Sequence, residues 1–194
     1  MSLTDYDIKL IVALGNPGSK YEATRHNAGI WFLSKIAERL NAKFTATSSC
    51  KAEIAEVCYE GRAMKLMRPL VYMNNNGQEI SKYMRYFKLK PSQLLVIHDE
   101  LDFLPGIIRF KLGGGCAGHN GLKSIKEHLG STNFLRLRIG IGHPGTSAEV
   151  SEYVLSKPKP GERSNIDNAI DESMLLLDYL FTGDIQTFMQ NLHT

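Results

Sequence analysis

Long hydrophobic runs are missing from this sequence of 194 residues. Its apolar stretches, such as residues 94–97, fall far short of the roughly 20 residues a membrane-spanning helix needs. No bilayer span is therefore expected. Cysteine is scarce, and Cys50, Cys58 and Cys116 stand far apart. Such thiols make neither a disulfide framework nor a zinc pair, which suits a reducing cytosol. Low-complexity tracts and internal repeats are absent, and Gly, Pro and charge are at ordinary levels, so the chain is not expected to be disordered. No signal peptide precedes the first expected strand, and Met1-Ser2-Leu3 reads as an expression remnant.

Several chemistries lack their signatures. His98, His119, His128 and His143 show no HExxH or Cys-pair spacing, which argues against a metal site. The glycine loop Gly113-Gly114-Gly115-Cys116-Ala117-Gly118 is followed by His119-Asn120, where a nucleotide-binding loop would carry Lys and Ser or Thr. A G-x-G-x-x-G match at 140–145 comes late, contains Pro144 and opens no βαβ unit, so a dinucleotide site is not expected. Cys116 near His119 could serve as a thiol nucleophile, yet a free Cys in a glycine loop is more often incidental.

What is present is a chain that is 43% hydrophobic, enough for one sizeable core. Residues 8–14 form an apolar run ended by Gly15-Asn16-Pro17-Gly18, a buried strand entering a turn. Ala28, Phe32, Ile36 and Leu40 follow at helical spacing, with Thr24 or Asn27 as N-cap and His26 in the first turn. Residues 53–59 and 63–67 read as a hairpin, and a helix starts near Asn74-Asn75-Asn76. Further strands are expected over 94–98, 107–112 and 134–141, with a helix closed by Gly130 between the last two. One long helix running through Ile166, Ile170, Met174, Leu177 and Phe181 follows the Lys157-Pro158-Lys159-Pro160-Gly161 linker, and a short helix ends the chain. The alternation predicts a single α/β domain over residues 1–194: a twisted, mixed, largely parallel sheet with helices on both faces.

In such sheets, sites form beyond the carboxyl ends of the strands. Asn16, His26, Asn74, Asp99, His119 and Asn120 all fall there. A carboxylate on one nitrogen of His26 would leave the other free to take a proton from water, which makes Asp99 a natural partner. The neighbouring Glu100 is an open alternative. The helix dipole disfavours the His26 cation while Asp99 favours it, so the net direction is open at this level. The three asparagine amides suit holding a peptide backbone or polarising an ester carbonyl, though each is also an ordinary turn or helix-start residue. Between Arg109 and His143 six basic residues (Arg109, Lys111, Lys123, Lys126, Arg136, Arg138) face one acid, Glu127. That balance suits a phosphate-bearing partner or a merely solvated face.

Taken in order, several strings resemble the bacterial peptidyl-tRNA hydrolase family. They are Gly15-Asn16-Pro17-Gly18 with Tyr21, Thr24-Arg25-His26-Asn27-Ala28-Gly29, Tyr72-Met73-Asn74, His98-Asp99-Glu100-Leu101-Asp102, Gly118-His119-Asn120-Gly121 and the run from Arg136 to Gly145. The resemblance implies hydrolysis of the ester between a peptide and the 3′ end of tRNA, without metal, cofactor or covalent intermediate. It implies His26 as catalytic base and Asp99 as its partner. Asn16, Asn74 and Asn120 would position substrate and water, Tyr21, Met73 and His119 would wall the cleft, and Lys111 and Arg138 would clamp the tRNA 5′-phosphate near the acceptor stem. A cytoplasmic monomer is implied, with helices over about 162–192 as a candidate lid. The readings that compete with it are a non-catalytic RNA-binding module, a metal-dependent peptidase and a nucleotide-binding oxidoreductase. The sequence departs from the family pattern at Cys116-Ala117, where His-Gly is expected, and at Asn75-Asn76, where a more apolar pair is expected.

Overall fold

A computed structural model describes residues 7–192; Met1-Ser2-Leu3 lies outside the described residues. Seven strands form one sheet: β1 (Leu10–Ala13), β2 (Thr45–Ala46), β3 (Ala52–Tyr59), β4 (Arg62–Pro69), β5 (Leu94–Glu100), β6 (Ile108–Leu112) and β7 (Leu135–Gly140). Their order is β2-β3-β4-β1-β5-β7-β6. β4, β1, β5 and β7 run parallel at the centre, and the antiparallel pairs β2–β3, β3–β4 and β6–β7 complete the two edges. The expected mixed, largely parallel sheet is present.

β1 and the first four residues of β5 are apolar because alternate side chains point to opposite faces of the sheet and both faces are covered. Ile11, Ala13, Leu95 and Ile97 pack on one face with Phe32, Leu33 and Ile36 of α1 (Ala28–Arg39). Leu10, Val12, Leu94 and Val96 pack on the other with Ile80, Tyr83 and Met84 of α2 (Asn76–Tyr86) and Leu122 and Ile125 of α3 (Asn120–Leu129). The same alternation continues past the apolar run. It carries Asp99 onto the α1 face and His98 onto the α2–α3 face, at the carboxyl end of β5.

Three expected boundaries shift for physical reasons. His26 lies not in the first turn of α1 but in a 3₁₀ turn, Arg25–Asn27, just before it. Neither proposed cap acts as one: the Thr24 hydroxyl donates to the Tyr21 carbonyl, and the Asn27 amide is engaged with Asn16. The long C-terminal helix is broken into α5 (Pro160–Met174) and α6 (Leu177–Thr182), followed by α7 (Ile185–Leu192). The amides of Leu175 and Leu176 reach back only three residues, to the Glu172 and Ser173 carbonyls, which tightens and ends α5. The apolar spacing from Met174 to Leu177 stays helical across the break, so periodicity could not reveal it. Pro160 and Gly161 belong to the first turn of α5 rather than to a linker, with Pro160 at the first helical position. A short α4 (Val150–Val154) was not anticipated.

Ile166, Ile170, Leu177, Phe181 and Phe188 are buried in the same core as α1. Arg25, 4% exposed, ties this region to the site: it donates to Ser156 Oγ at 2.6 Å, to the Lys157 carbonyl at 3.0 Å and to Glu162 Oε2 at 2.7 Å. Its guanidinium also lies 4.0 Å from the centre of the Tyr153 ring.

α2 crosses α3 at Gly77, where a Cβ would run into the backbone of Ser124 and Ile125. Gly77→Ala is therefore expected to cost about 2 kcal/mol through overpacking, although alanine is the better helix former. Urea unfolding measures it; a gain in stability would contradict the close crossing.

Candidate active site

The carboxyl ends of β1, β4 and β5 open into a cavity of about 700 Å³. All ten residues expected at the site line it: Asn16, Tyr21, His26, Met73, Asn74, Asp99, Lys111, His119, Asn120 and Arg138. They come from six separate stretches of chain (16–26, 73–74, 99, 111, 119–120 and 138), and the sheet brings them together.

At its centre, Asp99 is 3% exposed. Its Oδ2 lies 2.8 Å from His26 Nδ1, and its Oδ1 lies 2.9 Å from His119 Nε2. Asp99 rather than Glu100 thus faces the imidazole; Glu100 stands 3.6 Å from the Arg138 guanidinium. Burial disfavours the Asp99 charge, but charge and hydrogen bonds from the two imidazoles outweigh it and hold the carboxyl well below its ordinary range. Burial also disfavours the His26 cation, and there too Asp99 outweighs it, raising the imidazole above its ordinary value. This settles the direction that the sequence left open.

An amide lattice fixes the floor. Asn16 and Asn27 exchange two bonds: the Asn16 amide N–H donates to Asn27 Oδ1 at 2.8 Å, and Asn27 Nδ2 donates to the Asn16 carbonyl at 2.9 Å. Asn16 Oδ1 accepts from the Met73 amide at 2.7 Å, which links the β1 turn to the turn carrying Asn74. Asn76, fully buried, accepts from the Gly15 amide and donates to the Val71 and Tyr72 carbonyls. Asn76, one of the Asn75-Asn76 pair where more apolar residues were expected, is thus a fully used brace. Asn27 and Asn76 were not among the expected site residues. Asn27 reads in the sequence only as a helix-cap candidate, and Asn76 only as the last of an asparagine run.

Two further side chains, weighed in the sequence only as a metal-ligand candidate and as a surface cation, belong to the buried surroundings of the site. His98, 2% exposed, donates from Nδ1 to the Asp99 carbonyl at 2.7 Å, while its Nε2 is buried without a partner. Burial, reinforced by the charges of His119 and Arg136, pushes it down to about 3. Arg136 was counted with the basic surface, but it is 2% exposed. Its guanidinium donates to the Gly114 and Gly115 carbonyls at 2.7 and 2.6 Å, bracing the glycine loop. Arg109 likewise turns inward, to the Ile108 and Leu192 carbonyls. Of the three cations that line the cavity, Arg136 is engaged with the Gly114 and Gly115 carbonyls, and Lys111 and Arg138 form the remaining cationic wall, with Arg138 resting 4.5 Å from the centre of the Phe103 ring.

The ligand atoms of His26, Asp99 and His119 lie within 4.8 Å of one another, close enough to suggest a cation site. Each nitrogen that points at Asp99 is already hydrogen-bonded to it, however, and acts there as a donor rather than as a lone pair. Cys116 and Ala117 also line the cavity, Ala117 at φ +44°, where the glycine expected by resemblance would be unstrained.

The His98 environment has a consequence for stability. Unfolded His98 takes up a proton near pH 6.5 whereas folded His98 resists it down to about 3, so stability falls as pH drops through that window. His26 acts oppositely: its contribution is complete below pH 6.5 and lost as pH rises through its raised folded value. Between pH 6 and pH 4.5, replacing His98 by Leu should reduce the slope of unfolding free energy by about 1.4 kcal/mol per pH unit. Urea unfolding across this range checks it, and an unchanged slope would contradict the assignment.

Comparison with known proteins agrees with this geometry. A family model described as peptidyl-tRNA hydrolase matches residues 10–194. The chain is 46% identical over 187 residues to a peptidyl-tRNA hydrolase of Francisella tularensis subsp. novicida, covering 96% of this chain and 98% of that protein. It is also 46% identical to one from Bordetella avium over 190 residues, covering 96% and 92% of the two chains. The crystal structure of peptidyl-tRNA hydrolase from Acinetobacter baumannii superposes with a TM-score of 0.93 at 40% identity, over 100% of this chain and 97% of that one. With the matched region spanning nearly the whole sequence and every strand of the sheet, this chain belongs to the peptidyl-tRNA hydrolase family.

Proposed function

We propose that this chain is an ester hydrolase that cleaves the bond between the peptide and the 3′ ribose of peptidyl-tRNA, with His26 as general base. The observation that carries the reading is the hydrogen bond from His26 Nδ1 to Asp99 at 2.8 Å, which places the proton on Nδ1 and leaves the Nε2 lone pair for water in the cavity. His26 Nε2 takes a proton from that water as its oxygen attacks the ester carbonyl. The tetrahedral intermediate collapses as the same proton passes to the departing 3′ oxygen. Asn120 donates to the developing oxyanion, an interaction worth on the order of 3 kcal/mol. Asn16, whose oxygen is held by Met73, offers its NH₂ group to the substrate, and Asn74 does so from the facing turn. Tyr21, Met73 and the ring of His119 wall the peptide channel.

Because the imidazole nitrogens facing Asp99 serve as proton donors, the chemistry runs without a metal, and no cofactor is required. Lys111 and Arg138 take the tRNA 5′-phosphate beside the acceptor stem. The single sheet with a core on each face supports one domain over residues 1–194, acting as a monomer in the cytoplasm, where translation supplies its substrate. None of the described helices is long and apolar enough to cross a membrane. We assign the helices over 162–192 as a buttress rather than a lid: they bury Ile166, Ile170 and Phe188 in the core, and none of their residues lines the cavity. Val150, Ser151, Val154 and Leu155 close that side instead.

N-blocked aminoacyl-tRNA should be hydrolysed in preference to the free form, unaffected by EDTA, and His26→Ala should retain less than about a hundredth of the rate. Loss of activity in EDTA would indicate a metal-dependent hydrolase; salt-sensitive RNA binding without turnover would indicate a binding module. Lys111→Ala and Arg138→Ala should each lower the salt slope of tRNA binding by about 1. Arg136→Leu should instead lower thermal stability. An equal loss on a peptidyl-adenosine substrate would remove Lys111 and Arg138 from the phosphate site.

A further inference from the structure

His119 has more contacts than a cleft wall needs. It is the N-cap of α3, a place that usually falls to Ser, Thr, Asn or Asp. Its Nδ1 accepts the Gly121 amide at 3.1 Å and the Leu122 amide at 3.4 Å. A ring nitrogen that accepts from backbone N–H groups carries a lone pair, so the ring proton resides on Nε2. That nitrogen lies 2.9 Å from Asp99 Oδ1. The groups facing the ring are His98 and Asp99 from β5 and His26 from the 3₁₀ turn, with ring centres 5.0 Å away for both histidines. The Cys116 carbonyl holds the His119 amide, Met73 approaches from the turn beside Asn74, and Arg136 lies beyond His98.

We infer that His119 is a positioning residue for the reaction: the first turn of α3 fixes its tautomer, so that Nε2–H is permanently donated to Asp99 and holds the carboxylate that orients His26. The inference rests on the reading of His26 as base and adds the element that determines how strongly Asp99 acts on it. Asp99 divides its negative charge between two N–H donors. Without the second donor, that charge would fall on His26 alone and the carboxylate could rotate. His26 would then hold its proton to higher pH, and fewer enzyme molecules would carry the free base at neutral pH.

The test uses two replacements in the full chain. His119→Phe keeps a ring against the cleft but has no N–H donor; His119→Gln loses the ring but can place an NH₂ group near Nε2. Both lose the cap, so the difference between them isolates the donor. In His119→Phe the acid limb of the kcat/KM–pH profile should rise by about half a unit or more, with kcat falling on the order of tenfold. In His119→Gln the limb should stay within about 0.2 unit of wild type. Limbs that coincide in all three proteins, or shift equally in both variants, overturn the inference, as would a change confined to KM. ¹⁵N NMR of histidine-labelled wild type provides a readout independent of activity. The inference expects a protonated Nε2 and an unprotonated Nδ1 on His119, and the reverse assignment overturns it. Failure of the His26 reading is separate: it would show as turnover surviving in His26→Ala, whatever the tautomer of His119.

Discussion

A carboxylate cut off from water stays charged only when donors meet its oxygens, because an unpaired buried charge costs several kcal/mol. Asp99 stands under that constraint at 3% exposure, and two imidazoles satisfy it. Much of the surrounding architecture follows from bringing those two rings to one strand end. β5 extends its buried row two residues past Ile97 to set Asp99 on the α1 face. The turn before α1 delivers His26 from one side of the sheet, and the start of α3 delivers His119 from the other. The central parallel strands supply the crevice in which both can reach the same carboxylate.

The remaining parts hold these approaches rigid. A Cβ on Gly29 would meet the Ile97 carbonyl, so α1 can press against β5 and keep its preceding turn close to Asp99. Asn16, Asn27 and Asn76 knit three turns together with bonds that leave little freedom to the cavity floor. Arg25, the residue before His26, anchors the segment after α4 and the start of α5, so the wall near Val154 and the catalytic turn are one unit. Arg136 does the same for the glycine loop, which leads directly into His119. Each brace is a buried polar group held by two or more directed bonds, which favours a single geometry over a range of them.

Much of this was legible in the sequence. The apolar runs marked the strands because buried parallel strands carry no polar face, and glycine and asparagine punctuation marked the turns that carry the site. His26, Asp99 and the asparagines at 16, 74 and 120 were visible because they follow strand ends. What stayed hidden depends on partners distant in the chain. Arg136 reads as a surface cation until the carbonyls of Gly114 and Gly115 are seen against it. Asn27 reads as a helix cap until Asn16 claims its amide. The break between α5 and α6 hid behind apolar spacing that continues across it, and the second role of His119 required knowing that its ring caps a helix. Local pattern specifies elements; it does not specify which distant backbone group a polar side chain will find.

The most direct test of the account is the pH profile of kcat/KM for wild type beside Asp99→Asn, using N-blocked aminoacyl-tRNA. The wild-type acid limb should lie above pH 6.5, since Asp99 outweighs the burial of His26. In the variant, burial alone acts on His26, so the limb should fall below 6.5 while the plateau drops by about a hundredfold or more as the ring loses its fixed tautomer. A limb that does not move when the carboxylate is removed would show that His26 and Asp99 do not act as the catalytic pair.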